Sequence, residues 1–268
     1  MIWDCFPFFN ELELLDIRLH TLSPFVDRFV LVEAAETFSG NPKPMYYSDN
    51  REQFREYWDK IVYVPIEHLP ETNNFWVREG NQRNDIMKGL TEAAPDDIIL
   101  ISDVDEIPRP EKFSAIRKTG KSIFVMDYYM YYLNMRSADE ALWLLGTRAV
   151  PMREMTTPQD VRNWGAFRLL LGGKYAIFNG GWHFSYLGGP QKVQYKLEST
   201  SESQLPGGIA DDYNHLEAIE RRIRSGVDVL GVRGHTWLPV PLDNTFPEYL
   251  LEHQDRFNHL IYREETHK

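Results

Sequence analysis

Helical patterns and short apolar runs alternate through the first hundred residues, and this alternation restricts the fold more than any other feature. Three nearly continuous apolar runs are typical of strands buried on both faces of a parallel sheet, at residues 28–33, 61–64 and 98–101. A segment with apolar side chains at helical spacing precedes each run, at residues 8–22, 51–60 and 78–94. This order predicts an α/β fold with a doubly wound, mostly parallel central sheet flanked by helices.

Local signals set the expected limits of these elements. Asn10 followed by Glu13 resembles a capping box at the start of the first helix. Pro65 is expected to stop the second strand, because proline cannot donate a ladder hydrogen bond. Ligands bind beyond the carboxyl ends of strands in such sheets, so the expected binding edge begins at Glu33, Pro65 and Ser102.

The second half of the chain is less regular. Strands are predicted within residues 122–133 and 175–186, the latter interrupted by paired glycines. Helices are predicted over 212–225, ended by Gly226, and over 247–261. We expect a single domain over residues 1–268.

Composition narrows the partners and the compartment. The formal net charge of −11 disfavours nucleic acid and anionic membranes as partners. Cys5 is the single cysteine, so no disulfide forms within the chain, as is typical of a reducing compartment. No signal peptide is visible, and no apolar run reaches the roughly 20 residues of a membrane span. These features predict a cytoplasmic protein without a membrane span.

An acidic cluster follows the third strand, at the expected binding edge. Asp103 and Asp105 are two residues apart, so on an extended backbone both side chains point the same way. Two converging carboxylates suit one hard divalent cation, which would neutralise charge on a departing phosphate. Glu106 adds a third carboxylate and is a catalytic candidate. The alternative is an acidic turn that caps the next helix.

A glycine-rich segment, residues 180–189, is the second candidate binding element. Its paired glycines allow close backbone approach to a ligand beside Trp182 and His183. His183 offers an imidazole as a further metal ligand, although a histidine among aromatic residues is more often structural.

A cationic helix start at residues 78–85 is the third candidate. Arg83 is expected to pair with phosphate or to hold Asp103 in place, and Asn84 lies beside it. The alternative is a solvated helix face with charge pairs along it. Lys192 and Lys196 have the same two interpretations.

Taken in order, these pieces resemble glycosyltransferase family 17, which includes the enzymes that add the bisecting N-acetylglucosamine (GlcNAc) to N-glycans. The matching residues run through most of the chain: Asp4-Cys5-Phe6, Asn10-Glu11, Phe29 to Glu33, Thr37 to Gly40, Arg83-Asn84, Asp103 to Pro108, Gly181 to His183, Lys196-Leu197 and Asp212-Tyr213. The resemblance implies a GT-A-like, Rossmann-like fold and inverting transfer of GlcNAc from UDP-GlcNAc with Mn²⁺ or Mg²⁺. It also implies a nucleotide-sugar-binding half, 1–110, and an acceptor-side half, 111–268.

The resemblance assigns roles to particular residues. Asp103 and Asp105 would hold the metal and the nucleotide sugar, and His183 would complete the metal shell. Glu33 and Thr37 would lie near the base and ribose. The remaining substrate-binding candidates are Arg83, Asn84, Trp182 and Lys196.

An inverting transfer requires a base that takes the proton of the acceptor hydroxyl, and a carboxylate is expected to serve as that base. Four residues are candidates: Asp212, Asp211, Glu198 and Asp127. Asp212 is favoured because it matches the family at Asp-Tyr, and its alternative role is a helix N-cap.

Two other classes of function stay open, and so does the acceptor. One is a nucleotidyltransferase acting on sugar phosphates, and the other is a non-catalytic carbohydrate-binding protein derived from a transferase. We expect this protein to be without the membrane anchor and stem of the animal enzymes of the family, because no such segment is visible in the sequence. The expected acceptor is therefore any saccharide or glycoconjugate, including a lipid-linked saccharide or a small molecule.

Overall fold

The computed structural model describes residues 1–139, 141–165, 175–204, 216–229 and 234–263. The strands are β1 Ile2–Phe8, β2 Arg28–Ala34, β3 Ile61–Ile66, β4 Ile98–Ile101, β5 Glu106–Pro108, β6 Ser122–Phe124, β7 Met126–Met130, β8 Met135–Ser137, β9 Leu142–Trp143, β10 Arg148–Pro151, β11 Ala176–Ile177, β12 Gly181–Ser185 and β13 Trp237–Pro239. The α-helices are α1 Leu12–Leu22, α2 Tyr46–Asp49, α3 Phe75–Asn84, α4 Ile86–Gly89, α5 Pro158–Asn163, α6 Pro190–Ser199, α7 Leu216–Ser225 and α8 Glu248–Glu252. Short 3-10 helices occur at Arg51–Tyr57, Pro110–Ala115, Met152–Glu154, Ser201–Gln204 and Asn258–Leu260.

The central sheet has seven strands in the order β11-β6-β10-β4-β1-β2-β3. Strands β4, β1, β2 and β3 are mutually parallel, and β11 is parallel to β6, whereas β10 is antiparallel to both of its neighbours. The predicted α/β fold with a mostly parallel sheet is therefore confirmed. Since β4 lies between β1 and β10, the residues that follow it leave from the interior of the sheet rather than from its rim.

Apolar side chains cover both faces of this sheet. Ile99 and Ile101 of β4 belong to one cluster, together with Val161 of α5. Leu100, between them on the strand, packs in a second cluster with Phe124 and Ala149. Alternation along β4 thus buries successive side chains on opposite faces, as expected for a parallel sheet covered on both sides.

Two units divide the chain. The first comprises Met1–Met126 and Trp143–Trp182, and the second comprises Asp127–Leu142 and His183–Lys268. The expectation of a single domain with halves at 1–110 and 111–268 stays a prediction.

The second unit is built on an antiparallel ladder. Ser137 of β8 faces Trp237 of β13, and Ala138 N donates to Thr236 O at 2.8 Å beyond the ends of both strands. The ring of Tyr128 in β7 stacks on His183 with 5.0 Å between centroids. Nearby, Leu133 N donates to Leu260 O at 2.8 Å and so ties the closing segment to the ladder.

Several predicted boundaries are wrong, for local physical reasons. Residues 2–8 form β1, an interior strand of the sheet between β4 and β2, although Phe8 was predicted to begin a helix. The predicted capping box does not form: Glu11 is the N-cap without a side-chain cap, and its Oε2 accepts from Asn10 N at 3.0 Å. Strand β3 continues through Pro65, which β3 tolerates because it is an edge strand of the sheet.

The predicted helices are also shorter than their apolar patterns. Residues 51–60 form a 3-10 helix over Arg51–Tyr57, and 78–94 divides into α3 and α4. The closing helix over 247–261 is limited to α8 and a 3-10 turn. Gly226 ends α7 as predicted, with a positive φ of 64°. No helix among the described residues is long and apolar enough to cross a membrane.

Candidate active site

The acidic cluster lies at the carboxyl end of β4, as predicted. β4 ends at Ile101, and Ser102 to Asp105 link it to β5, which begins at Glu106. The side chain of Asp103 is one-third exposed, at 33%, whereas Asp105 and Glu106 are buried. Asp103 is therefore the carboxylate of the three that solvent reaches most readily.

Arg18, a residue of α1, binds the backbone of this link through hydrogen bonds. Its guanidinium group forms a buried two-point ion pair with Asp4 of β1 and donates to Ser102 Oγ at 2.6 Å. Its Nη1 also donates to the backbone carbonyls of Asp103 at 3.1 Å, Val104 at 3.2 Å and Glu106 at 2.7 Å. Because one planar guanidinium group binds three carbonyls within residues 103–106, the backbone that carries the acidic cluster is fixed.

Two arginines engage the carboxylate of Asp103. Arg83 Nη2 donates to Oδ1 at 2.8 Å, and Arg162 Nη2 donates to Oδ2 at 2.7 Å. Arg83 also pairs with Glu79 at 2.7 Å, so its own position is fixed. The prediction that Arg83 holds Asp103 in place describes this contact correctly.

Glu106 is fully buried and is paired inside the protein. Arg162 donates to Oε1 at 2.7 Å and to Oε2 at 2.8 Å, and Trp143 Nε1 donates to Oε1 at 2.5 Å. Asp103 N donates to Oε2 at 3.2 Å. With no exposed surface and these partners, Glu106 organises the cluster in this structure, although its predicted catalytic role stays a prediction.

These charges set the ionisation of Asp103. Burial by itself would raise the pKa of Asp103, but Arg162 and Arg83 outweigh it and lower that pKa to about 2. Asp103 is consequently a carboxylate at neutral pH and accepts hydrogen bonds only.

The predicted metal ligands come from both units: Asp103 and Asp105 lie in the first unit, and His183 lies in the second. Both oxygens of Asp103 already accept from guanidinium groups, which compete with a cation for the same lone pairs. Within the described ranges, no three or more His, Cys, Asp or Glu side chains are arranged to hold a metal ion. Asp103, Asp105 and His183 as metal ligands, and Mn²⁺ or Mg²⁺ as cofactor, stay predictions.

Glu33 lies near the end of β2, and its carboxylate is bound by neighbouring groups of the protein. Its buried carboxylate accepts from Tyr47 N at 3.0 Å and from Tyr63 Oη at 2.9 Å, and it lies 3.6 Å from Lys43 Nζ. Burial raises the pKa of Glu33 and lowers the pKa of Lys43. Thr37 is also buried, and its Oγ1 accepts from Asn41 N at 3.0 Å. Both residues here anchor the 33–50 segment, and their predicted place near the nucleotide remains untested.

The other substrate-binding candidates fall into two groups. Asn84 is linked to the cluster through Gln159: Gln159 N donates to Asn84 Oδ1 at 2.9 Å, and Gln159 Oε1 accepts from Arg83 at 2.5 Å. Trp182 is buried in the first unit beneath the guanidinium of Arg109, 4.0 Å from the ring centroid. His183 and Lys196 belong to the second unit, where Lys196 Nζ lies 5.4 Å from the Tyr186 ring centroid.

The candidates for the catalytic base are only partly described. Asp211 and Asp212 lie outside the described residues. Asp127 forms an ion pair with Arg136 at 2.7 Å. Glu198 lies on α6. The structure therefore leaves the favoured choice, Asp212, as a prediction.

Three residues of the cluster were missed in the sequence. Arg18 lies within an apolar helix pattern, and Arg162 and Trp143 lie far along the chain in segments without a motif. One signal was available: Asp4 stands in a strongly apolar segment, and a buried carboxylate requires a cation. No local pattern indicated that Arg162 would pair with Asp103, which is 59 positions away.

A mostly parallel α/β sheet with a charged, polar cluster at a strand's carboxyl end is typical of enzymes that bind nucleotides or nucleotide sugars. The sequence profile of glycosyltransferase family 17 matches residues 1–233, and the chain belongs to that family.

The relatives with assigned activities carry one name. Human, rat and mouse β-1,4-mannosyl-glycoprotein 4-β-N-acetylglucosaminyltransferases are each 25% identical to this chain over 94–95% of its length. The chain spans about half the length of these relatives, 53–54%.

Two solved structures resemble the fold only distantly. A glucosyl-3-phosphoglycerate synthase from M. tuberculosis has a TM-score of 0.36 at 15% identity, covering 94% of this chain and 92% of that chain. An active-site mutant of LgtC has a TM-score of 0.35 at 10% identity, covering 97% and 95%.

Proposed function

We propose that this chain transfers GlcNAc from UDP-GlcNAc to a hydroxyl group of a saccharide or glycoconjugate, with inversion at the anomeric carbon. Membership of glycosyltransferase family 17 supports the reaction class, and the names of the mammalian relatives support GlcNAc as the sugar. The observation that carries the proposal is the fixed Asp103 carboxylate at the carboxyl end of β4. A GT-A-like arrangement of the sheet and a cytoplasmic location belong to the same proposal.

In this reaction the acceptor oxygen attacks the anomeric carbon while the bond from that carbon to the diphosphate breaks. The electron pair of the broken bond leaves with UDP, and the acceptor proton passes to a carboxylate base, for which Asp212 is the favoured residue. Asp103 is held ionised by Arg83 and Arg162, so it accepts hydrogen bonds from hydroxyl groups of the donor.

The predicted dependence on Mn²⁺ or Mg²⁺ is also part of the proposal. A divalent cation would supply charge neutralisation at the departing diphosphate. Asp105 and His183 are the ligands to test first, because Asp103 is already engaged by two guanidinium groups.

The test is a transfer assay with the purified chain, UDP-GlcNAc, and panels of saccharide and lipid-linked acceptors, with UDP-glucose and UDP-galactose as alternative donors. We expect UDP release with GlcNAc incorporation, a β-linkage by NMR from the α-linked donor, and loss of turnover in EDTA. An α-linkage would exclude inversion. Undiminished turnover in EDTA would remove the metal from the proposal.

The same assay separates the alternatives. A nucleotidyltransferase would release pyrophosphate from UTP and a sugar phosphate instead of UDP from UDP-GlcNAc. A non-catalytic carbohydrate-binding protein would show no turnover, and its melting temperature would shift with saccharides but not with UDP. Either outcome would replace the proposed function.

A further inference from the structure

Arg162 lies on an element that is separate from the rest of the acidic cluster and is itself well anchored. Helix α5 begins after Thr157, whose Oγ1 accepts from Asp160 N at 3.1 Å. Val161, the neighbour of Arg162, is fully buried in the cluster that covers one face of the sheet. The guanidinium group is thus projected from a helix that the sheet holds in place.

The guanidinium group of Arg162 links the carboxylates of Asp103 and Glu106. Nη2 donates to Asp103 Oδ2 at 2.7 Å and also to Glu106 Oε1 at 2.7 Å, so one nitrogen joins the two carboxylates. Nη1 donates to Glu106 Oε2 at 2.8 Å, and this completes a two-point pair with the buried glutamate. The fixed fork of a guanidinium group matches this arrangement, whereas the single ammonium of lysine cannot reproduce it.

Arg162 also fixes a second segment beside the cluster. Its Nη1 donates to Leu145 O at 2.5 Å and lies 3.3 Å from Gly146 O. Trp143, in the same segment, donates to Glu106. The segment 143–146 and the link after β4 are therefore joined through the Arg162–Glu106 pair.

The side chains of the cluster differ in solvent exposure, and this difference indicates which of them can contact a substrate. Arg162 is 11% exposed and Glu106 is fully buried, whereas Asp103 is 33% exposed. Arg162 therefore has little surface with which to contact a substrate directly, and Asp103 is the group that it presents. Arg83 holds the other oxygen of Asp103, but it has no contact with Glu106 among the described hydrogen bonds.

We propose that Arg162 is a positioning residue for donor binding: by bridging Glu106 and Asp103 it holds the Asp103 carboxylate in the orientation that receives the nucleotide sugar. This inference rests on the proposed function. It assigns Arg162 no contact with the reacting atoms, and it makes the geometry of the guanidinium fork, rather than its charge alone, the property that matters.

The test compares Arg162→Lys with Arg153→Lys, a control that changes an arginine paired with Asp96 on the surface. For each variant we would measure kcat, the KM for UDP-GlcNAc and the KM for the acceptor. Arg162→Lys keeps the charge and should raise the donor KM roughly 10- to 100-fold, the range expected when charge-assisted hydrogen bonds are lost. The acceptor KM should stay within about twofold, and the control should match the unaltered protein.

A merely structural role gives a different result, because partial unfolding lowers kcat through the active fraction and leaves both KM values unchanged. A folded Arg162→Lys variant with an unchanged donor KM would therefore overturn the inference. The second measurement is the donor KM of Arg162→Ala with added guanidinium chloride, compared with the same concentration of NaCl. A donor KM restored by guanidinium alone would require a folded protein with an intact cavity for the missing group. If the unaltered protein failed to transfer GlcNAc from UDP-GlcNAc, that result would refute the proposed function instead. The Kd of UDP, measured by calorimetry, would still allow the variants to be compared.

Discussion

Arg18 and Asp4 form a two-point ion pair between α1 and β1: Nε donates to Oδ2 at 2.7 Å, Nη2 donates to Oδ1 at 2.6 Å, and neither side chain is exposed. Arg18 Nη1 donates to three backbone carbonyls after β4, and Arg18 Nη2 also donates to Ser102 Oγ. This pair connects three elements of the fold, and the position of Asp103 depends on all three.

The first prediction concerns this pair. Arg18→Lys should lower the free energy of unfolding by about 3–5 kcal/mol, because lysine leaves Asp4 and the three carbonyls incompletely paired in a buried place. Urea denaturation measures the loss. Arg28→Lys, which changes an arginine with only exposed contacts to backbone carbonyls, is the matched control and should cost less than about 1 kcal/mol. Equal losses in both variants would contradict the assigned role of Arg18.

The second prediction concerns Asp105. Asp105→Ala should abolish metal-dependent transfer while the thermal unfolding transition stays cooperative, because its predicted role is in ligand binding. Asp96→Ala removes an exposed carboxylate from the turn before β4 and serves as the control, with unchanged turnover expected. Turnover in Asp105→Ala equal to that of the unaltered protein would remove Asp105 from the site.

The third prediction separates two roles for Glu33. Glu33→Gln leaves Lys43 buried without its charge partner, so we expect a loss of roughly 3–5 kcal/mol in unfolding free energy. If Glu33 acts as an anchor, the Kd of UDP measured by calorimetry should stay within about twofold. A UDP affinity that falls tenfold in a protein with nearly unchanged stability would instead support the nucleotide-binding role suggested by the family resemblance.

The fourth prediction is a pH dependence in the second unit. Hydrogen bonds from Ser137 and His235 lower the pKa of Asp139 to about 2, against an unfolded value of about 3.9. A depressed pKa stabilises the folded state above the unfolded value, and this contribution is lost as the pH falls from about 4 through 2.

Asp139→Asn tests this dependence through the melting temperature. The difference in Tm between the unaltered protein and this variant should be present at pH 6 and shrink steadily below about pH 4. Asp255→Asn, a change of an exposed carboxylate, supplies the baseline. A difference that stays constant down to pH 2 would exclude the linkage to Asp139.

The sequence predicted the parts of the molecule that rest on local patterns. The apolar runs of β2, β3 and β4 identified three strands, and the position of Asp103 after β4 followed from their order. Strand β1 escaped notice because Pro7 and the polar Asp4 interrupt its apolar pattern, and Asp4 is explained only by its distant partner Arg18.

The residues of the candidate site that belong to a sequence motif could be predicted. The residues that join the site through long-range side-chain contacts could not. Asp103 and Arg83 were associated correctly, since helix α3 and strand β4 lie in the regular half of the chain. Arg162 and Trp143 reach Glu106 through tertiary contacts across 56 and 37 positions, and nothing in their local sequence marks those partners.

The ion pairs and hydrogen bonds of the site also determine how much of the chain must be synthesised before the protein can bind its donor. Arg18 meets Ser102 84 positions later, and Arg162 meets Asp103 a further 59 positions along. A nascent chain that still holds α5 inside the ribosome has strands β1 to β4 but no bridge between Asp103 and Glu106, and such long-range contacts form late in folding. Donor binding should therefore appear only after α5 has emerged, so partially synthesised or C-terminally shortened chains should contain strands β1 to β4 without acting on the nucleotide sugar.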